Sequence, residues 1–350
     1  LWVGWLVNSH NPAWNPEEFT DNSPMDLKFA SSGQLSGIFK SLGFGFEVSQ
    51  LSAGPLQGKF RLTGSAVLPL LSITTNRTLV VQGDRRPGVL PFSINVRGEH
   101  PLVRGEKVHQ HSIHGFQSTL RDSFVVLTPG CEIQMAMVSK QRLERLALAT
   151  NEERALDRIH GVNSAAVSPQ QFQRLVELTK PQHHDPIQAE LVEAELLELL
   201  SGRSLNQLNS GDLSHRAGLM KDLIAWGQAN PTEVISLKDL SSTIFASRSS
   251  IVHSCRASFG MGPMTVLKQI RLGQVQAMLM NPQQRESMKF TTVQAVATHF
   301  GFSSRNHFAR DYRQLFGEAP SATLQRSTTP GIRSHAVSVA HKPQMAMARR

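Results

Sequence analysis

The last third of the chain contains two copies of one short pattern, and this repeat constrains the fold more than any other feature. Each copy reads as a short helix, a tight turn and a second helix that ends at Gly, which predicts two helix–turn–helix units. Shifting the sequence by 57 positions aligns Phe245 with Phe302, Ser247-Arg248 with Ser304-Arg305, Ile251 with Phe308, Arg256 with Arg313, Phe259-Gly260 with Phe316-Gly317, and Pro263 with Pro320.

The second helix of the second copy is predicted to be amphipathic, with an aromatic face and a face rich in arginine. With Ser303 or Ser304 as its N-cap, helical spacing turns Phe308, Tyr312, Leu315 and Phe316 toward a core. Gly301 is expected to take the positive φ of the turn, with Phe302 packed beneath it. The outward positions are Arg305, Asn306, His307, Arg310 and Arg313. Such residues are typical of a helix that enters the major groove, where Arg can pair with guanine and Asn with adenine.

In the first copy, the second helix is expected to begin after Ser247 as its N-cap and to present outward residues at the corresponding positions. These residues are Arg248, Ser249, Ser250, Val252, His253 and Arg256. The alternative is a plain helical bundle whose arginines serve solubility, and the combination of repeat, caps and charge makes that interpretation the weaker one.

Charge is distributed unevenly along the chain. Residues 231–350 carry fifteen Lys and Arg against five Asp and Glu, whereas the whole chain carries 36 against 27. The excess positive charge therefore lies entirely in the last third. This distribution favours a C-terminal domain that binds a polyanion, attached to a nearly neutral remainder of the chain. The alternative is a basic surface that is simply solvated.

The rest of the chain predicts a multidomain protein in which a β-rich domain precedes an all-α one. Short β-prone runs bounded by turn residues predict a small barrel or sandwich over 1–150. Helical spacing predicts a connector over 151–211, whose stripe of Val192, Leu196, Leu199 and Leu200 fits an internal core better than a dimer contact. The helix–turn–helix units occupy 212–327, and a basic tail over 328–350 is expected to be disordered.

Residues 214–327 resemble the DNA-binding domain of the AraC/XylS family of bacterial transcription regulators. "FTTVQAVATHFGFSSRNHFARDYRQLFGEAPSATL" is similar to the family signature, and "FGMGPMTVLKQIRLGQVQAMLM" resembles its linker helix. The resemblance covers about a third of the chain, and within the family it is closest to the ethanolamine-operon regulator group. It implies recognition helices in successive major grooves, roughly 34 Å apart.

The resemblance also implies function and partners. It implies that residues 1–150 are a regulatory domain that binds an effector, dimerises, or both. Base readout would fall to Ser249, Val252 and His253 in the first unit and to Arg305, Asn306 and Arg310 in the second. The expected protein is an effector-responsive activator that binds promoter DNA, a small molecule and RNA polymerase, and that can form a homodimer. The first unit departs from the pattern at Ile244, where Gly is usual, and at Cys255, where a larger apolar residue is common.

Other residues suggest weaker alternatives. His109 and His111, with His114, would suit a metal in a cupin-like barrel if they lay on a strand, but solvated loop histidines are the simpler interpretation, as for His183-His184-Asp185. Cys131 raises the class of DNA-repair alkyltransferases, which needs more cysteines than the two present.

No phosphate-binding loop, dinucleotide fingerprint or nucleophile motif occurs in the sequence. We therefore expect a regulator without catalysis, cofactor or metal, located in the reducing cytoplasm and not in a membrane. The rival functions are a sequence-tolerant architectural DNA binder and, less well supported, an enzyme with a DNA-targeting domain.

Overall fold

A computed structural model describes residues 25–65, 67–180, 186–202, 206–209 and 211–328. The predicted tail and His183-His184-Asp185 lie outside these ranges, apart from Thr328 at the end of the last helix. None of the described helices is long and apolar enough to cross a membrane.

The first half of the chain contains two antiparallel sheets. One has the strand order β1 (Met25–Phe29), β3 (Gly58–Gly64), β4 (Pro69–Thr75), β11 (Glu132–Ser139), β6 (Val89–Arg97), β9 (Ser112–His114), β12 (Ser164–Ala166) and β13 (Asn206–Asn209). The other has the order β2 (Gly45–Gln50), β5 (Leu79–Asp84), β10 (Asp122–Leu127), β7 (Leu102–Val103) and β8 (Glu106–Lys107).

The two sheets pack against each other across one apolar core. Phe60 and Ile73 of the first sheet meet Val81 and Leu127 of the second, and helix α1 (Ser32–Ser41) adds Leu35 and Phe39. Alternation of apolar side chains along each strand turns one face of each sheet inward. The predicted β-rich domain is confirmed, and it is an open sandwich and not a closed barrel.

Four helices cover the face of the first sheet that lies opposite the second sheet. They are α2 (Lys140–Ala149), α3 (Glu153–Gly161), α4 (Pro169–Leu178) and α5 (Pro186–Ser201). The predicted apolar stripe of α5 is buried in this core: Val192, Leu196, Leu199 and Leu200 are at most 2% exposed and pack with sheet residues such as Phe92 and Ile113. The stripe is thus used within the chain, and its side chains are not available to form a dimer seam.

The predicted connector over 151–211 is not purely helical, because it contains two short strands. Strands β12 and β13 interrupt the helices and extend the first sheet by pairing Ser164 with His114 of β9 and Ala166 with Asn206. These strands are three and four residues long. Runs that short contain too few residues for a period-2 pattern to stand out.

The described residues from 215 to 328 are helical, as predicted. The helices are α6 (His215–Ala229), α7 (Leu237–Thr243), α8 (Arg248–Phe259), α9 (Pro263–Met280), α10 (Pro282–Ser287), α11 (Val293–His299), α12 (Arg305–Phe316) and α13 (Pro320–Thr328). Ser236 caps α7, and Asn230 and Asn281, each followed by a proline, are the C-caps of α6 and α9.

Helix α9 joins two separate cores. Its first half contributes Val266 and Ile270 to the core around α6 and α8, and its second half contributes Leu272 and Leu279 to the core around α11 and α12. Eighteen helical residues span about 27 Å. A single continuous helix therefore sets the spacing of the two units.

Candidate nucleic-acid interface

Helices α8 and α12 are built alike from local sequence signals. Ser247 caps α8 by accepting a hydrogen bond from the Ser250 amide at 3.1 Å, and Ser304 caps α12 by accepting one from the His307 amide at 3.4 Å. Gly260 and Gly317 end the two helices with φ of 70° and 74°, in the left-handed region that favours glycine. Both helices are twelve residues long.

The buried face of α12 is aromatic. Phe308, Tyr312 and Phe316 are at most 5% exposed, and their rings contact one another in series. The Tyr312 hydroxyl shares a hydrogen bond of 2.9 Å with Thr323 Oγ1 of α13. Packing of this kind holds the helix in one orientation, so its opposite face is presented rigidly.

The predicted outward residues of α12 are all exposed. Arg305, Asn306 and His307 lie in its first turn, and Arg310 and Arg313 follow one and two turns later on the same side of the helix. On α8, Arg248, Ser249, His253 and Arg256 are exposed and Val252 is half-buried. The structure thus exposes the predicted residues of each unit on one helix, and on α12 it places Asn306, Arg310 and Arg313 on one face.

The buried face of α8 is smaller than that of α12. Ile251 and Cys255 are fully buried against Leu240 of α7 and against α6 and α9. Leu51 and Phe124 of the sandwich pack into the same core as Cys255.

The turn of the first unit corrects the predicted alignment. Helices α7 and α11 correspond with an offset of 56, because their caps are Ser236 and Thr292, whereas α8 and α12 correspond with an offset of 57. The first turn is therefore one residue shorter. Phe245, and not Ile244, holds the positive φ, and Ala246 takes the place of Phe302.

One carboxylate links α12 to the linker helix α9. Asp311 accepts a hydrogen bond of 2.8 Å from Lys268 Nζ and lies 3.4 Å from a guanidinium nitrogen of Arg310. Burial by itself would raise the pKa of Asp311, but the Lys268 hydrogen bond and the charges of Lys268 and Arg310 outweigh it and keep that pKa below its usual value. The pair fixes α12 against α9.

The sandwich contacts the last turn of α12, at the opposite end of the helix from Arg305, Asn306 and His307. The Leu315 carbonyl accepts hydrogen bonds from the Gly54 amide at 2.9 Å and from Gln50 Nε2 at 3.0 Å. Gln228 of α6 also bonds Gln82 at 3.0 Å and Ser49 at 3.2 Å. These contacts leave the outward residues of α8 and α12 exposed.

The predicted histidine cluster divides in the structure. His114 lies on β9 and is 3% exposed, and burial lowers its pKa to about 4, whereas His109 is exposed in the preceding loop. The solvated-loop interpretation is therefore wrong for His114. Among the described residues, no group of three His, Cys, Asp or Glu is arranged to hold a metal ion.

Both cysteines are buried. Burial raises the pKa of Cys131 and raises that of Cys255 to about 12. Because the thiolate is the reactive form, burial disfavours nucleophilic chemistry at either residue.

One exposed polar residue extends the outward face of α12 beyond the predicted set. Gln314 lies four residues after Arg310, at the helical spacing that keeps side chains on one face. The corresponding position of α8 holds Ala257, which is also exposed but has no polar group to offer. Extending the i, i+4 spacing from Arg310 by one turn would have identified Gln314 as an outward residue.

Comparison with known proteins is consistent with this geometry. Residues 240–326 match the profile of a helix-turn-helix domain. The XylDLEGF operon transcriptional activator 2 of Pseudomonas putida is 32% identical over 97 residues, a stretch that spans 28% of this chain and 59% of the length of that relative.

The chain is also similar to solved structures. A probable AraC family transcriptional regulator from Rhodopseudomonas palustris is 35% identical over 31% of this chain and 96% of its own, with a TM-score of 0.28. ToxT from Vibrio cholerae covers 87% of this chain and 98% of its own at 10% identity, with a TM-score of 0.31. By the sequence identity of its two helix–turn–helix units, the chain belongs to the AraC/XylS family of transcription regulators.

Proposed function

We propose that the chain is a sequence-specific regulator that binds duplex DNA through α8 and α12. The observation that carries this proposal is the pair of equally capped helices, each presenting an exposed polar and cationic face, joined by one continuous helix. Such helices can enter successive major grooves on one side of the duplex, one helical turn of roughly 34 Å apart.

The two units are assigned different shares of the recognition. In the second unit, Arg305, Asn306 and Arg310 read bases, and His307 and Arg313 add base or phosphate contacts. In the first unit, Ser249, Val252 and His253 reach the bases, and Arg248 and Arg256 add base or phosphate contacts. Because Ser and Val are poor hydrogen-bonding readers, most of the specificity is assigned to α12.

We further propose that the chain activates transcription in response to a small molecule. The named relative is an activator, and the sandwich is joined to the DNA-binding units through contacts that a ligand in the sandwich can disturb. RNA polymerase and a second copy of the chain are the proposed protein partners. Any dimer contact must use a surface other than the buried stripe of α5.

The first experiment is a retention assay with genomic fragments from around the gene, at physiological salt and with competitor DNA. A retained fragment with a protected footprint of about two helical turns supports the specific regulator. Uniform, salt-labile retention of every fragment favours the alternative, a sequence-tolerant binder that holds phosphates through the same cations. No described group favours catalysis, so an enzyme with a DNA-targeting domain is not proposed.

A further inference from the structure

The turn of the first helix–turn–helix unit exposes an aromatic ring to solvent. Phe245 is 96% exposed, the highest fraction among the large apolar residues that the structure describes. Its φ of 52° lies in the left-handed region, which a bulky side chain rarely adopts. An exposed ring on a strained backbone is unfavourable for the free chain on two counts. Positions of this kind concentrate at functional sites, where a contact outside the domain uses them.

The surrounding turn holds the ring outward. Ile244 and Ala246, the two neighbours of Phe245, pack against the core of the first unit. The Ala246 amide donates a 3.1 Å hydrogen bond to the Ser241 carbonyl, and the Ser241 hydroxyl donates a 2.5 Å bond to the Ala246 carbonyl. Because both flanking residues are fixed, Phe245 cannot fold into the core without breaking these contacts. The exposed ring is therefore a built feature of the turn.

Phe245 lies beside the start of recognition helix α8. It precedes Ser247, the N-cap of α8, by two residues, a separation of at most about 7 Å along the chain. Arg248 and Ser249, in the first turn of α8, are exposed as well. The first turn of a recognition helix is the part that meets base edges in the major groove. In the proposed binding mode, the ring of Phe245 therefore reaches the DNA surface.

The sequence around the ring favours DNA over an apolar protein surface as its partner. No Asp or Glu occurs from residue 240 to residue 285. The stretch from 241 to 250, "SSTIFASRSS", contains six hydroxyl side chains and one arginine. Hydroxyl groups and cations are the side chains that contact phosphate oxygens. A single apolar ring within such a stretch matches a polyanion that also presents an apolar group.

Helix α8 has few polar groups with which to read bases. Val252 and Ala257 on its outward side have no side-chain donor or acceptor, and Ser249 offers one hydroxyl. In the major groove, the apolar group that distinguishes one base from the others is the 5-methyl group of thymine. Gly301 holds the position of Phe245 in the second unit and has no side chain. An apolar reading contact at this position would therefore belong to the first unit alone.

From these observations we infer that Phe245 is a specificity-determining residue that packs on the 5-methyl group of a thymine in the half-site bound by the first unit. The inference rests on the proposed binding of duplex DNA. Packing the ring against the methyl group removes apolar surface from water on binding. The exposure of the ring in the free chain is thereby relieved in the complex.

The test uses the full chain without other proteins. The native chain first selects a site from a random pool of duplexes. Each thymine of that site is then replaced singly by deoxyuridine, which lacks only the 5-methyl group. One such replacement should weaken binding of the native chain about fourfold, the change expected when one buried methyl group is lost.

Phe245→Gly removes the ring and the backbone strain together. This variant should bind the selected site more weakly than the native chain, and it should bind the thymine and deoxyuridine duplexes at the sensitive position equally. The comparison is a double-mutant cycle between one side chain and one methyl group. Because the ratio of the two affinities is measured within each variant, it does not depend on the fraction of protein that is folded.

Two further variants complete the design. Phe245→Leu keeps an apolar side chain at the position and should keep most of the preference for thymine. The matched control is Leu148→Ala, which removes an exposed apolar side chain from α2 of the sandwich, where the residue is 61% exposed. It should bind both duplexes as the native chain does.

The outcomes separate this inference from the proposed function. If the native chain selects no sequence, the proposed regulator fails and the contact fails with it. If it selects a site but Phe245→Gly shows the same deoxyuridine sensitivity at every thymine, the regulator stands and the thymine contact is overturned. Unchanged affinity of Phe245→Gly for the selected site also overturns it, and assigns the exposed ring to a protein partner.

Discussion

Phe245 and Gly301 hold the same position in the two turns of the DNA-binding domain, and both have positive φ, 52° and 78°. For glycine this conformation is free of Cβ strain, whereas for a bulky side chain it costs about 1–2 kcal/mol. The Phe245 side chain is 96% exposed, so packing within the chain does not offset that cost.

We therefore expect Phe245→Gly to stabilise the chain. Removing the strain should increase the free energy of unfolding by about 1 kcal/mol, after allowance for the greater chain entropy of glycine. Urea denaturation of the native chain and the variant measures this difference.

The control is the opposite change in the second unit. Gly301→Ala should destabilise, because a Cβ at Gly301 would lie 2.7 Å from Val234 Cγ2 at a backbone angle that L-residues rarely adopt. If Phe245→Gly lowers the stability, the exposed ring contributes a contact that the strain argument omits.

Base readout by the second unit predicts an asymmetry between the two recognition helices. Arg305→Ala and Arg310→Ala should each weaken binding to a footprinted site by about 1–3 kcal/mol, and Ser249→Ala by less, because a bidentate arginine contributes more than a hydroxyl. Titrations on the specific site and on a scrambled duplex separate readout from phosphate contacts. Equal losses for the three variants would contradict the assignment.

The pair between Lys268 and Asp311 predicts an acid-sensitive contact. A carboxyl group whose folded pKa is depressed stabilises the fold above its unfolded pKa of about 4, and this contribution is lost as the pH falls through the folded pKa. At neutral pH, Asp311→Asn should therefore cost on the order of 1 kcal/mol, and the difference from the native chain should vanish in strong acid.

Unfolding by urea at a series of pH values from neutral to strongly acidic measures this dependence. Asp222→Asn is the matched control, because Asp222 is exposed on α6, away from the pair that joins α9 to α12. A difference between native and Asp311→Asn that stays constant down to the lowest pH would assign the effect to packing and not to charge.

Gln50 predicts a measurable coupling between the sandwich and α12. Its Nε2 atom donates to the Leu315 carbonyl at 3.0 Å and also to the Ser52 and Gly54 carbonyls at 2.8 Å, so it organises the loop that meets the end of α12. Gln50→Ala should cost about 1–2 kcal/mol, since the residue is 2% exposed and its partners lose a buried donor.

Hydrogen exchange locates that loss. The Gly54 amide, which also bonds Leu315, should exchange faster in Gln50→Ala, and the last turn of α12 should lose protection with it. Gln173→Ala, an exposed change on α4, is the control and should leave both segments unchanged. Unchanged protection of α12 in Gln50→Ala would contradict the coupling.

The helices of the DNA-binding units could be predicted from the sequence, because the signals that specify them are local. Ser247 and Ser304 cap the helices that follow them, Gly260 and Gly317 end them, and i, i+4 spacing separates buried Phe308 and Tyr312 from exposed arginines. Each signal acts within a few residues, so it can be read without knowing the rest of the fold.

Other features of the fold depend on tertiary packing and could not be predicted from local patterns. The shortened first turn emerged from backbone geometry, since an alignment by residue type matched Phe245 to Phe302 although their positions differ. The burial of α5, the pairing of the short strands β12 and β13, the bond from Arg86 to the Leu42 carbonyl and the bond from Gln50 to the Leu315 carbonyl all join residues distant in sequence. Such contacts depend on how whole sheets and helices pack, which no local pattern records.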